Sequence, residues 1–164
     1  MTEPFQLSSG EADAQGLQQF YWDIASIERH LDEIRSFWAS RLGISVRQWM
    51  ILAALEDMDA GEGVAVKDVS AKMFVDPSFV TTQSKVLAAK GFIRRASSPH
   101  DARVILMTIT DDAKKRISRV NERRHSIQKF IFSDFDSSAL EGFLEQVSAV
   151  KAKCERATRI LAAD

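Results

Sequence analysis

The chain has 164 residues, 45% of them hydrophobic and 27% charged, which is the composition of an ordinary soluble domain. No run approaches the ~18 apolar residues of a membrane span, and the amino terminus lacks the pattern of a signal peptide, so we expect a cytoplasmic protein without a membrane partner. The single cysteine, Cys154, excludes an intramolecular disulfide and a cysteine-rich zinc site.

Basic residues are concentrated in the middle of the chain, although the net charge is −1. Residues 72–124 contain 12 Lys or Arg against 5 Asp or Glu, whereas the remainder contains 10 against 18. Such a segment attracts a polyanion, and the alternative is a set of solvated helix faces.

The first two predicted helices follow from apolar periodicity. Apolar residues recur at steps of three and four across residues 17–42, which predicts a helix that stops at Gly43. Ser45 can cap a second, largely apolar helix over residues 46–58. Residues 64–66 then suit one short strand.

The next segments predict two helices separated by a tight turn, with a hairpin after them. The first helix covers residues 67–74, and Asp76 before a proline marks the start of the second, 77–90. Residues 92–95 and 104–109 are predicted as two strands around a turn.

Two long helices complete the chain. Thr110 caps a basic helix that reaches roughly Phe132, and the last helix carries an apolar heptad stripe. The terminal helices present more apolar surface than one small domain covers, so we expect a symmetric homodimer, with an intrachain helix pair as the alternative. The stripe consists of Leu140, Phe143, Val147, Val150, Cys154, Ala157 and Leu161.

This order of elements predicts a mainly α fold with a small β-hairpin wing (α+β), in which dimerisation helices flank a winged helix-turn-helix core. We expect a disordered segment over residues 1–14 and an N-terminal dimerisation helix over 15–42. The DNA-binding domain is predicted over 43–112 and the C-terminal dimerisation helices over 113–164.

The second helix of the helix-turn-helix motif is the predicted DNA-reading helix. Its short hydroxyl groups suit base edges or phosphates, and a lysine adds positive charge. Two neighbours, Gln83 and Ser84, flank this stripe and are expected to contribute. The stripe consists of Ser78, Thr81, Thr82 and Lys85.

The hairpin is predicted to enter a minor groove or hold phosphates, because basic residues cluster around its turn. They are Arg94, Arg95, His100 and Arg103. Asp101 stands two residues before Arg103, a spacing that lets its carboxylate fix the guanidinium in one pose. An ordinary surface ion pair that stabilises the turn is the alternative.

The run "DPSFVTTQSKVLAAKGFIRRASSPHDARVILMTITDDAKKRI", preceded by "LGISVRQWMILAAL", resembles the MarR family of bacterial regulators over roughly Leu42 to Ile117. The resemblance implies that Arg103 enters the minor groove with Asp101 as its orienting partner. It also implies that the polar stripe of the DNA-reading helix faces the major groove. Ala102 and Ala113 depart from the family pattern, and a redox role for Cys154 is not favoured.

The same resemblance implies a small aromatic or phenolic effector and no other cofactor or metal. Its site would lie between the dimerisation helices and the DNA-binding lobe, where the chain supplies aromatic walls and cationic ends. Plain packing is the alternative for each of these residues. They are Tyr21, Trp22, His30, Phe37, Trp38, Arg47 and Trp49.

The sequence thus predicts a DNA-binding transcriptional regulator and not an enzyme, and the expected dimer predicts an inverted-repeat operator. The family resemblance implies that this regulator is a ligand-responsive repressor. The three histidines lack a metal-binding spacing, and there is no phosphate loop or nucleophile motif. The rival interpretation is a winged-helix module for protein assembly that does not bind DNA. A steep fall of DNA affinity with added salt would distinguish the two.

Overall fold

The structure is a computed structural model that describes residues 14–163. The segment predicted to be disordered, 1–14, lies outside the described residues except for Ala14, which begins the first helix. None of the helices in this part of the chain has the length and hydrophobicity that a bilayer crossing requires.

Residues 14–163 form six helices and three short strands. In chain order they are α1 (Ala14–Leu42), α2 (Val46–Met58), β1 (Val64–Ala65), α3 (Val66–Met73), α4 (Pro77–Ala89), β2 (Ile93–Ser97), β3 (Ile105–Ile109), α5 (Asp111–Ile131) and α6 (Ser137–Leu161). The sheet is antiparallel with the order β1-β3-β2, so β1 extends the predicted hairpin by a third strand. The predicted mainly α fold with a β-hairpin wing is confirmed.

The helix starts have the local chemistry that the sequence predicts. Ser45 and Gln48 form a reciprocal capping box at the start of α2, and the Asp76 side chain accepts a hydrogen bond from the Ser78 main-chain N–H at the start of α4. Gly43 and Gly91, with φ of 68° and 76°, let the chain leave α1 and α4 in the left-handed conformation.

The core of the winged domain lies where α2, α3 and α4 meet the sheet. Its large, fully buried side chains come from every one of these layers, so the two helices of the helix-turn-helix and the wing share one packed interior. These side chains include Ile51, Leu52, Leu55, Val69, Val80, Leu87, Phe92 and Met107.

The chain forms two compact units, one ending at Ile117 and the other starting at Ser118. In the second unit, α6 contains no buried residue, and its apolar stripe lies open to solvent. Phe143, Val147 and Val150 on this stripe are 43%, 46% and 40% exposed, and Cys154 is exposed too.

Candidate nucleic-acid interface

Helix α4 presents most of the predicted polar stripe to solvent. Ser78, Thr82 and Lys85 are exposed, while Thr81 is half-buried. The Thr82 hydroxyl donates to the Ser78 carbonyl oxygen at 3.0 Å, so its oxygen can still accept a hydrogen bond. The stripe therefore offers both donors and acceptors beside one positive charge.

The two residues that flank this stripe point elsewhere. Ser84 is fully buried and its hydroxyl donates to the Thr81 carbonyl oxygen at 3.0 Å, so the expectation that it contributes to the interface is wrong. Gln83 is half-buried and its Oε1 accepts from Nε2 of Gln48 on α2 at 3.0 Å. Because each helical residue turns the side chain by about 100°, Gln83 joins α4 to α2 while Thr82 faces solvent.

The two arginines of β2 lie on opposite faces of the sheet. Arg95 pairs with the fully buried Met107, so it points toward the core face, and its buried Nε has no hydrogen-bond partner among residues 14–163. Arg94 pairs with Thr108 on the other face and is exposed. Of the two, Arg94 has the greater access to an external partner.

The wing tip is organised by main-chain hydrogen bonds. The carboxylate of Asp101 accepts from the main-chain N–H of Arg103 at 2.9 Å, and the Ser98 hydroxyl accepts from the His100 main-chain N–H at 3.2 Å. The sequence predicted that Asp101 would fix the guanidinium of Arg103. In the structure it fixes the backbone, since an aspartate reaches the N–H two residues ahead without ordering a long side chain. His100, Asp101 and Arg103 are all exposed.

Two basic side chains, one at the end of α4 and one on α5, contact the end of α1. The sequence did not predict either contact. Nζ of Lys90, at the end of α4, donates to the Gly43 carbonyl oxygen at 2.8 Å. Arg116 on α5 donates to the Leu42 carbonyl oxygen at 3.3 Å, and its guanidinium lies 3.9 Å from the Phe92 ring centre. Local sequence patterns do not predict these pairs, because their members are 47 and 74 residues apart.

A cavity of about 500 Å³ lies beside the start of α4, between α1 and α2. Of the seven residues predicted to form an effector site, only Arg47 lines it. Its wall consists of Glu28, Asp32, Arg35, Val46, Arg47, Met50, Met73, Val75, Asp76 and Phe79.

The other six predicted effector residues have different surroundings. Trp38 and Trp49 are 5% and 4% exposed and belong to the core. Phe37 packs edge-on against Trp38, with ring centres 4.8 Å apart. Tyr21 and Trp22 are about two-thirds exposed on α1, and the exposed His30 contacts Glu33 on the same helix.

The cavity wall carries an arrangement of charges that the sequence did not predict. Nη1 of Arg35 donates to both Glu28, at 2.7 Å, and Asp32, at 2.9 Å. Burial of this guanidinium opposes its charged form, but the hydrogen bonds to the two carboxylates outweigh that effect and raise the Arg35 pKa. The Arg47 guanidinium lies 5.4 Å from the ring centre of Phe79 on α4.

A protein-family model and several solved structures are similar to this chain. A family model described as the MarR family matches residues 42–104, which extend from the end of α1 into the wing. The matched segment, which contains α2, α3, α4 and β2, is similar to the MarR family. This match agrees with the resemblance to the MarR family that the sequence motifs indicate.

Relatives of the MarR-type domain include the uncharacterized HTH-type transcriptional regulator YdgJ of Bacillus subtilis. It is 29% identical over 87 residues, which are 53% of this chain and 51% of YdgJ. The match thus spans about half the length of that relative.

Two solved MarR-type structures share the fold at low sequence identity. CouR from Rhodococcus jostii, bound to p-coumaroyl-CoA, is 18% identical with a TM-score of 0.67, covering 87% of this chain and 95% of CouR. A MarR mutant from E. coli, complexed with operator DNA, is 16% identical to this chain with a TM-score of 0.63. The match covers 77% of this chain and 89% of the E. coli chain.

Proposed function

We propose that this protein is a DNA-binding transcriptional regulator that reads DNA with α4 and the wing. The observation that carries the proposal is the exposed polar stripe of α4 in the same compact unit as the exposed basic wing tip. A helix of this width fits the major groove, and a basic hairpin beside it reaches the neighbouring minor groove or its phosphates.

The proposed roles follow from the chemistry of each side chain. Ser78 and Thr82 offer hydroxyls to base edges or phosphates, and Lys85 offers a positive charge to the backbone. In the wing, Arg103 would enter the minor groove, while Arg94 on the exposed face would contact phosphates. The solved E. coli MarR mutant complexed with operator DNA supports DNA binding by a protein of this fold.

The regulator is proposed to act as a homodimer on an inverted-repeat operator. The support is the open apolar stripe of α6 and the exposed apolar residues Ile24 and Ile27 of α1, which are 47% and 53% exposed. A two-fold axis would bring two copies of α4 to half-sites one helical turn apart, on the order of 34 Å. Repression would result if that operator overlaps a promoter.

Regulation by a small molecule is the remaining part of the proposal. The cavity beside α4 touches both α1 and the DNA-reading helix, so an occupant that favours another arrangement of these helices would lower operator affinity. CouR, with p-coumaroyl-CoA bound, shows that a protein of this fold holds a small molecule.

The test of DNA binding is fluorescence anisotropy of the purified protein with DNA flanking its own gene, at several salt concentrations. We expect tight binding that weakens steeply with salt, because Lys and Arg contacts displace counterions from phosphates. Arg103→Ala should cost about 1–3 kcal/mol of binding free energy, whereas Arg29→Ala on α1 should not.

Two results would contradict the proposal. Equal losses in Arg103→Ala and Arg29→Ala would remove the wing from the interface. Failure to bind that DNA, random duplex or any fragment in a genomic selection would favour the winged-helix module for protein assembly.

A further inference from the structure

The cavity beside α4 has the size and lining of a small-molecule site. Its volume of about 500 Å³ lies within the range of ligand pockets. Met50, Met73, Val75 and Phe79 form an apolar wall. Methionine side chains adapt their shape to a ligand and give good contacts to aromatic rings. This wall suits the apolar body of an amphiphilic molecule.

Negative charge exceeds positive charge in the rest of the lining. Three carboxylates, those of Glu28, Asp32 and Asp76, face two guanidinium groups. Hydrogen bonds from Ser78 lower the pKa of Asp76, so this carboxylate is ionised at neutral pH. The charged wall therefore carries a net charge of −1 in its unliganded form.

The two cations are already engaged. Arg35 is shared between two carboxylates, so an incoming anion would meet more negative than positive charge around it. Arg47 lies against the Phe79 ring. The carboxylates Glu28 and Asp32 are 63% and 62% exposed, and each retains lone pairs that a second cation could use.

We propose that this cavity binds a cationic amphiphile, an amine or amidine on an aromatic or alkyl body. The ammonium group would contact Glu28 and Asp32, and the body would lie on the methionines and Phe79. This inference rests on the ligand response proposed above. It differs in the class of ligand, because the family resemblance implied an aromatic or phenolic compound and not a cation. The fit follows from charge complementarity in the described wall.

The position of the site couples its occupant to DNA reading. Asp76 caps α4 by accepting a hydrogen bond from the Ser78 N–H at 2.8 Å, and Phe79 belongs to the first turn of the same helix. Glu28 and Asp32 belong to α1. An occupant thus contacts the N-terminal dimerisation helix and the start of the DNA-reading helix at once, and its binding energy would bias their relative placement.

The experiment compares two probes of nearly equal length and opposite charge, phenylpropylamine and phenylpropionate, on the full-length protein. Binding is measured by titration calorimetry, and its location by the NMR signals of the methionine methyl groups. We expect the amine to bind more tightly, by about tenfold, as two exposed ion pairs would provide. It should shift the methyl signals of Met50 and Met73 and leave that of the fully buried Met107 unchanged.

Variants of α1 test the charge argument directly. The double variant Glu28→Gln with Asp32→Asn frees Arg35, so we expect it to lose the preference for the amine and to bind the carboxylate better. Glu33→Gln is the matched control, because Glu33 pairs with Arg29 outside the cavity wall. Circular dichroism confirms that each variant is folded.

Three outcomes would overturn the proposal. One is binding of neither probe, and another is equal loss of amine binding in Glu33→Gln. The third is preference for phenylpropionate that Arg47→Met abolishes, which would assign the cavity to anions. None of these results depends on DNA, so a failure here is separate from a failure of the anisotropy test of DNA binding.

Discussion

Asp101 shows how a single side chain can prepare a wing for binding. Its carboxylate holds the backbone N–H of Arg103, and the guanidinium remains exposed. A fixed backbone lowers the number of conformations that the tip loses on binding, even though the arginine side chain itself stays free. We therefore expect the acceptor oxygen of residue 101 to be more important for DNA binding than its charge.

We expect Asp101→Ala to weaken operator binding, because the tip loses its turn-forming hydrogen bond. Asp101→Asn should bind as tightly as the wild type or more tightly, since the amide oxygen still accepts the hydrogen bond and a charge near the phosphates is gone. Anisotropy with the two variants checks this. If Asp101→Asn is as weak as Asp101→Ala, the ion pair with the Arg103 guanidinium is what matters.

At the scale of elements, the end of α1 is held by cations from two other helices. The last carbonyl groups of a helix carry partial negative charge, and Lys90 and Arg116 supply donors to them from α4 and α5. Arg116 also stacks on Phe92, the residue that leads into the wing. These contacts fix the angle at which α1 leaves the winged domain.

Arg116→Ala should lower the free energy of unfolding by about 1–2 kcal/mol, because it removes a hydrogen bond to a helix end and a stacked cation. Arg119→Ala is the matched control, an exposed arginine on the same helix. Urea denaturation followed by circular dichroism measures both. Equal stability of the two variants would show that the contact of Arg116 with Leu42 and Phe92 contributes nothing.

The elements themselves were predictable from sequence, whereas their contacts were not. Ser45 and Asp76 mark the helix starts because a capping hydrogen bond spans only two or three residues. The pairing of Gln48 with Gln83 and the burial of Ser84 depend on how α2 and α4 pack, which periodicity does not encode. For the same reason Trp38 and Trp49, aromatic residues near a predicted pocket, turned out to belong to the core.

At the scale of the whole molecule, we expect α6 to determine the state of association. A 25-residue helix with no buried residue and an apolar stripe is unstable in isolation and gains by burying that stripe. The proposed partner is a second copy of the chain. If two copies of α4 read an inverted repeat, as proposed, loss of the dimer should also weaken operator binding.

Val147→Asp places a charge on the stripe, so we expect a shift from dimer to monomer in light scattering and weaker operator binding. Ala152→Asp is the matched control, because Ala152 is exposed and lies on the other side of α6. Ala→Asp costs more helix propensity than Val→Asp, so a loss of helix cannot explain a shift that is seen only in Val147→Asp. An unchanged mass for Val147→Asp, or an equal shift for Ala152→Asp, would contradict dimerisation through the stripe.

The exposed Cys154 gives this association a chemical reporter. It is the only cysteine in the chain and follows Val147 by about two helical turns on the same face of α6. A thiol-specific reagent reaches it in a lone chain but would be hindered where two copies close over the stripe. The rate of thiol modification at increasing protein concentration would then trace the monomer–dimer equilibrium, with no engineered label and no DNA present.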